Sequence, residues 1–230
     1  MLNKIFLIFE FFEKFQIRTI QNYLKSKDIK IIFDIGAHEG IFFENFEKKK
    51  NFNKIFCFEP QLKYFKLLKE KFKNNNKYEI INCAIDVNEE KKMIKINAEE
   101  STSTMSKIDT DSLTYKIKNF VLNKSDSYLQ DQEVTTIRLD NFILKNNVNE
   151  ISLLYMDTEG YQLNILKSLG DDICKVKYIL FRDKILHPFK EYNFKILNEY
   201  LVSKNFILTK KFYHLGLTST QKLYLNDNFK

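Results

Sequence analysis

Residues Phe33 to Gly40, FDIGAHEG, join a strand end to a glycine-bearing turn, and few folds accommodate such a join. Before it runs Ile29-Lys30-Ile31-Ile32-Phe33, an apolar β-branched stretch of strand length. After it comes Ile41-Phe42-Phe43-Glu44-Asn45-Phe46, which suits a helix. Strand, tight turn and helix make the first half of a βαβ unit, so a parallel sheet flanked by helices is expected. Gly36 can take dihedrals closed to other residues and lets a ligand lie on the backbone, while Gly40 lets a helix pack close to the strand. A helix start behind the turn also offers free N–H groups to a carboxylate or phosphate.

Glycine spacing narrows the ligand. A dinucleotide fingerprint reads GxGxxG, and here His38 stands in place of the middle glycine, so a pyrophosphate lacks its close approach to the backbone. A carboxylate at Asp34 would repel a pyrophosphate but suits the amino group and sulfonium of S-adenosylmethionine (SAM); capping of the next helix is the other role open to it. A second buried-strand run, Lys54-Ile55-Phe56-Cys57-Phe58, ends at Glu59-Pro60. An acid there, roughly 20 residues past the glycine turn, can accept both hydroxyls of an adenosine ribose. NAD sites use the same device, and Glu59 could instead serve the start of the helix expected from Gln61 to about Lys73.

The chain has 230 residues, enough for one full α/β core, with 44% hydrophobic and 29% charged residues. Residues 1–28 are expected to form an amphipathic N-terminal helix and residues 29–230 a single domain. The apolar run Lys4 to Phe9 is interrupted by Glu10 and Glu13, lacks a small-residue cleavage site and is too short to span a bilayer. Packing on the domain, on a subunit partner in a homo-oligomer, or over the cofactor mouth is expected instead.

Abundant Lys, Asn, Ile and Phe with five glycines, two prolines and no tryptophan reflect an AT-rich base composition rather than a function. The net charge of +7 comes almost wholly from lysine, since Arg18, Arg138 and Arg182 are the only arginines. Nucleic-acid readers cluster Arg among aromatics, so no nucleic-acid partner is expected. Lysine runs at 48–50 and 69–73 read as solvated helix faces, and the excess charge favours an anionic acceptor such as a nucleotide-sugar. Cys57, Cys83 and Cys174 have neither disulfide nor zinc spacing, which fits a reducing cytoplasm.

Further on, Tyr78 to Ala84 reads as a third strand whose exit at Ala84-Ile85-Asp86 would flank an adenine. Lys91 to Asn97 reads as an extra strand followed by the polar loop 99–104, and residues 106–132 as a mobile excursion near the site. Val134 to Leu139 reads as another strand leading to a helix headed by Asp140. Ile151 to Gly160, ISLLYMDTEG, delivers Asp157 and Glu159 at a strand's carboxyl end, where ligands bind in open α/β sheets. Paired acids there can act as base, anchor or metal ligands, or Asp157 can cap the helix expected from Tyr161 to Leu169. Phe189 to Lys204 has helical periodicity, and Phe206 to Tyr213 with Lys222 to Leu225 reads as a closing hairpin around Gly216.

In order and spacing, FDIGAHEG, CFEP, the Ala84 strand exit, TIRLDNF (Thr136 to Phe142) and MDTEGYQLNIL (Met156 to Leu166) resemble the FkbM-type SAM-dependent methyltransferases. The resemblance covers roughly Ile31 to Leu169. It implies the Rossmann-like class I methyltransferase fold: a seven-stranded, mostly parallel sheet with helices on both faces and its last strand antiparallel. By the same resemblance, Asp34, Gly36, Ala37 and Gly40 surround the methionyl end of SAM, Glu59 meets the ribose, and Ala84 with its neighbours meets the adenine. Ser103 bonds the SAM carboxylate, and Asp157 and Glu159 face the methyl and the acceptor.

Where the family has Lys two residues before the DxEG Asp, a second acid after it, and Glu beyond the next strand, this chain has Tyr155, Gln162 and Arg182-Asp183-Lys184. The activity implied is O-methylation of a sugar hydroxyl, with a nucleotide-activated sugar for surface polysaccharide or capsule as the acceptor. N- or O-methylation of another small metabolite, or SAM binding without catalysis, are the alternatives. A sugar hydroxyl is weakly acidic and calls for a base, drawn from Asp157, Glu159, Asp183 and His187. Divalent-metal binding by Asp157 with Asp183 or His187 is allowed by ligand type but is not expected.

Overall fold

The computed structural model describes residues 2–44, 46–97, 103–122, 128–184, 187–214 and 219–230. Ten strands and seven α-helices follow one another along it. They are α1 (Leu2–Leu24), β1 (Ile31–Ile35), α2 (Ile41–Glu44), β2 (Lys54–Phe58), α3 (Leu62–Phe72), β3 (Tyr78–Ile81), β4 (Ala84–Ile85), β5 (Lys91–Asn97) and α4 (Leu113–Leu122), and then β6 (Tyr128–Ile137), α5 (Leu139–Lys145), β7 (Ile151–Met156), α6 (Gln162–Lys167), β8 (Val176–Lys184), α7 (Phe194–Ser203), β9 (Phe206–Tyr213) and β10 (Ser219–Asn226).

Seven strands pair in the order β3-β2-β1-β7-β8-β10-β9. β10 runs antiparallel to both its neighbours, and the other pairings are parallel. All six residues of β7 are buried, because a central parallel strand has helices on both faces and so reads as an unbroken apolar run.

Alternation along the strands divides the core in two. Phe33, Ile35, Leu154, Met156 and Phe181 face α5, α6 and α7 through Leu139, Ile143, Ile165, Leu166 and Leu197. Ile32, Ile55, Leu153, Tyr155 and Leu180 face α1, α2 and α3 through Ile20, Leu24, Phe42, Phe43 and Leu68. Helix α1 is therefore part of the core's cover. Ile20 and Leu24 are wholly buried, each worth about 1.5–3 kcal/mol, and Gln16 and Gln21 donate from Nε2 to the carbonyls of Phe212 and Phe42 at 2.8 and 2.6 Å.

Several elements differ from expectation. The strand expected over 78–84 breaks after Ile81, where Asn82 Nδ2 donates to the carbonyls of Glu59 and Pro60 and bends the chain. Ala84–Ile85 then pairs with β6, which carries the Val134 run, in a separate three-stranded sheet ordered β4-β6-β5. The expected excursion over 106–132 contains α4 and the start of β6. In α4, Leu113, Ile117 and Phe120 are exposed while Tyr115 and Asn119 are buried, so polarity and burial do not coincide. Helix α7 starts at Phe194 rather than Phe189, because Asn193 caps it by accepting the N–H groups of Lys195 and Ile196. Lys48 and Lys49 lie in a turn, not on a helix face. Gly216 and residues 99–102 fall outside the described residues.

Candidate active site

Strand order reverses between β1 and β7, and the crevice that opens at such a switch point is where open α/β sheets hold ligands. Parallel register sets Asp34 beside Cys57 and Tyr155, and Ile35 beside Phe58 and Met156, so three acid-bearing strand ends converge. The turns beyond them are locked together. The N–H groups of Gly36 and Asp157 donate to the carbonyls of Phe58 and Ile35 at 3.0 and 3.1 Å. Gly36 has φ of 81°, and a Cβ on it would lie 2.7 Å from the Asp157 carbonyl oxygen, so only glycine permits this approach.

Beside this junction lies a cleft of about 610 Å³, its walls including Gly36, Glu59, Ala84, Ser103, Asp157 and Tyr161. Glu59 accepts the backbone N–H groups of His38 and Gln61, each at 2.8 Å, one on each carboxylate oxygen. Burial pushes its carboxyl up to about 7 against the pull of those two bonds. Ala84, Ile85, Ile94 and Met105 give the far wall an apolar slot suited to a flat base. Asp34, Ala37 and Gly40 stand behind the cleft rather than on its wall. Gly40 answers to helix packing, since a Cβ there would meet Leu68 Cδ2 at 2.8 Å.

The cleft fits a cation-bearing nucleoside. Asp34 Oδ1 is buried with no hydrogen-bond partner. Burial first, then the neighbouring charges of Asp157 and Glu59, holds that carboxyl well above its ordinary range. A positive group nearby relieves such a strain; a pyrophosphate aggravates it.

A second pocket of about 220 Å³ opens on the other side of Asp157, and among the described residues Asp157 alone borders both. Its walls are Glu159, Gly160, Gln162, Arg182, Lys184, His187, Phe189 and Tyr192. Lys184 Nζ pairs with Glu159 Oε1 at 2.6 Å, and Arg182 Nε lies 3.1 Å from Asp157 Oδ2. Burial raises the Asp157 carboxyl, and Arg182 pulls it back without cancelling the effect. Past the strand end Asp157 and Glu159 diverge, for Glu159 takes φ of 49°, and Thr104 Oγ1 donates to its carbonyl at 2.8 Å.

His187 also borders the second pocket. Its Nδ1 accepts the Phe189 N–H at 3.3 Å, and its ring lies parallel to Phe189 and edge-on to Tyr192. Burial lowers its pKa, which favours the neutral ring, and the bond at Nδ1 leaves the proton on Nε2 as a donor. Asp183 does not belong here. It is not among the pocket's walls, although Tyr192, which is, donates to it from Oη at 2.5 Å, and Lys222 pairs with it. Among the described residues no three His, Cys, Asp or Glu side chains gather as a metal centre.

The model of the methyltransferase FkbM domain matches residues 34–208. The chain belongs to the FkbM methyltransferase family. It therefore carries a SAM-dependent methyltransferase domain, and the FkbM match takes in every wall of both pockets while leaving α1 outside. Among solved structures, an FkbM methyltransferase from Methylobacillus flagellatus is 15% identical with a TM-score of 0.55, over 86% of this chain and 43% of that one. This chain thus spans less than half of that protein. A protein of the NADB-Rossmann superfamily from Streptococcus agalactiae is 9% identical with a TM-score of 0.51, over 92% of this chain and 67% of that one. Both likenesses bear on the fold alone. No curated protein matches the chain.

Sequence reasoning placed Asp157, Glu159 and His187, which the fold brings around one pocket. It missed Phe189 and Tyr192 there, and Thr104, Thr158 and Tyr161 at the cleft. The YQL that follows DTEG and the HPF triplet were the available signals. Arg182 and Lys184 were legible only as departures from the family pattern.

Proposed function

We propose that this chain transfers the methyl group of SAM to a hydroxyl of a sugar, a nucleotide-activated sugar for surface polysaccharide being the acceptor class, in the cytoplasm. The observation that carries the reading is that one residue, Asp157, borders both the cofactor cleft and a second pocket with Glu159, Arg182, Lys184 and His187 among its walls. Among the described residues no helix is long and apolar enough to cross a membrane.

When bound, SAM supplies a methyl carbon on a positively charged sulfur. Glu59, ionised, would accept the ribose hydroxyls, the Gly36 turn and Ser103 would hold the methionyl end and its carboxylate, and Ala84 and Ile85 would flank the base. A cation bound in the cleft would favour ionisation of Asp34, which stands behind the wall. On the acceptor side, the Asp157 carboxylate would take the hydroxyl proton, while the bound SAM would supply the methyl, the new oxygen–carbon bond forming as the carbon–sulfur bond breaks. Glu159, fixed by Lys184, accepts a second hydroxyl, and His187 Nε2–H orients the sugar. Phe189 and Tyr192 give its ring an apolar face. Positioning and proton removal are the protein's contributions, the second worth about 10²–10⁴-fold.

The test incubates the protein with SAM and a panel of nucleotide-sugars and reads methylated product by mass spectrometry. One methylated sugar that disappears with Asp157→Asn supports the reading. Methylation of amines or of non-sugar metabolites alone would overturn the acceptor class, and SAM binding with no transfer to anything would mark a binding module.

A further inference from the structure

The N-terminal helix lies outside the family match, yet one of its side chains pairs with a wall of the acceptor pocket, Arg182. Glu13 Oε1 stands 2.6 Å from Arg182 Nη2, while Asp157 Oδ2 faces Nε of the same guanidinium at 3.1 Å. The helix cannot drift, because Gln16 bonds the Phe212 carbonyl three residues on and Ile20 and Leu24 are wholly buried. Arg182 therefore stands between two carboxylates, one from α1 and one from the turn after β7.

We propose that Glu13 is a positioning residue of the methyl-transfer site: by holding Arg182 at Nη2 it leaves only Nε for Asp157 and so keeps one Asp157 oxygen open to the acceptor. This rests on Asp157 acting as the base. A guanidinium offers a fork of donors that matches a carboxylate in two parallel bonds. Without Glu13 that fork is free to close on Asp157, occupying both oxygens and lowering its proton affinity. The alignment present agrees, for Arg182 Nε makes a charge contact with Asp157 but no aligned hydrogen bond.

The charges facing Asp157 are Arg182 and Lys184 from β8, Glu159 from its own turn, Glu13 from α1 and Asp34 from β1. Those facing Glu13 are Arg182, Lys184 and His214. Burial opposes ionisation of Glu13, but Arg182 outweighs it and holds the carboxyl below its ordinary value, so Glu13 stays charged wherever Asp157 can work. Loss of its charge and closure of the fork both push the Asp157 midpoint the same way, downward.

The experiment follows the Asp157 carboxyl by ¹³C NMR against pH, the signal being assigned by its absence in Asp157→Asn, in wild type, Glu13→Ala and Glu13→Gln. SAM affinity by calorimetry and methyl transfer are read alongside. Glu13→Ala is expected to lower the Asp157 midpoint by about one unit and turnover by about tenfold. SAM affinity should stay within about twofold, because no SAM-contacting group moves. Glu13→Gln keeps an acceptor for Nη2 and is expected to restore most of the turnover. If Glu13→Ala does not fold, Glu13→Asp, one methylene too short to reach, takes its place with the same expectation. An unmoved or raised midpoint would overturn the proposal, as would a loss of SAM affinity in step with melting temperature. Wild type that methylates no sugar defeats the functional reading alone, since the NMR result still decides for or against Glu13.

Discussion

Glu59 is 2% exposed and accepts two backbone N–H groups, yet burial leaves its carboxyl near 7. That value fixes two signs. In the SAM-free protein the folded state holds this proton more tightly than the unfolded chain does. The stability it contributes is full below about pH 4.5 and is lost as pH rises through about 7, by up to about 3 kcal/mol. Glu59→Gln should remove that slope from denaturation measured across the range. SAM affinity moves oppositely: ionised Glu59 must accept the ribose hydroxyls, so binding should tighten as pH climbs through about 7 and then level off. Glu59→Ala should weaken SAM by about 1–3 kcal/mol, the cost of buried hydrogen bonds left unmade, and unchanged affinity in calorimetry would mean that the ribose lies elsewhere. Asp34, Gly36, Glu59, Asp157 and Glu159 were legible because each sits in a short run that carries its own strand end. The company they keep was not. Glu13, Asp157 and Arg182 meet only because β7 pairs with β8 while α1 covers that face, and no local pattern encodes such a contact.

Among the elements, α1 makes the most testable claim. Its inward side chains are buried, whereas Phe11 and Phe15 are 63% and 51% exposed. Leu24→Ala should therefore cost about 2–5 kcal/mol by urea denaturation, while Phe11→Ala should stay within about 0.5 kcal/mol. Equal losses would contradict one-sided packing. The strands of the main sheet were readable because those buried on both faces are plain apolar runs. Helix α4 was not, since its large apolar residues point outward and its buried positions are Tyr115 and Asn119. The small sheet of β4, β6 and β5 escaped for another reason. A strand's sequence shows that it pairs, not with which partner, and Val134 to Ile137 would have suited the main sheet equally well.

In the whole molecule, sheet order does what no single motif can. It brings the carboxyl ends of β1, β2 and β7 to one switch point and runs β8 alongside, so the cofactor cleft and the second pocket share a wall at Asp157. The order follows from the fold class, which the FDIGAHEG join and the alternating elements made readable, whereas the shared wall depends on pairings more than a hundred residues apart in sequence. The central claim is that this wall is where methyl transfer happens. Its most direct test is a single-turnover measurement of methyl transfer from saturating SAM to the nucleotide-sugar acceptor, in wild type and Asp157→Asn. Loss of the base predicts a fall on the order of 10²-fold in rate with SAM affinity essentially unchanged. Asp157→Asn turning over as fast as wild type would contradict it.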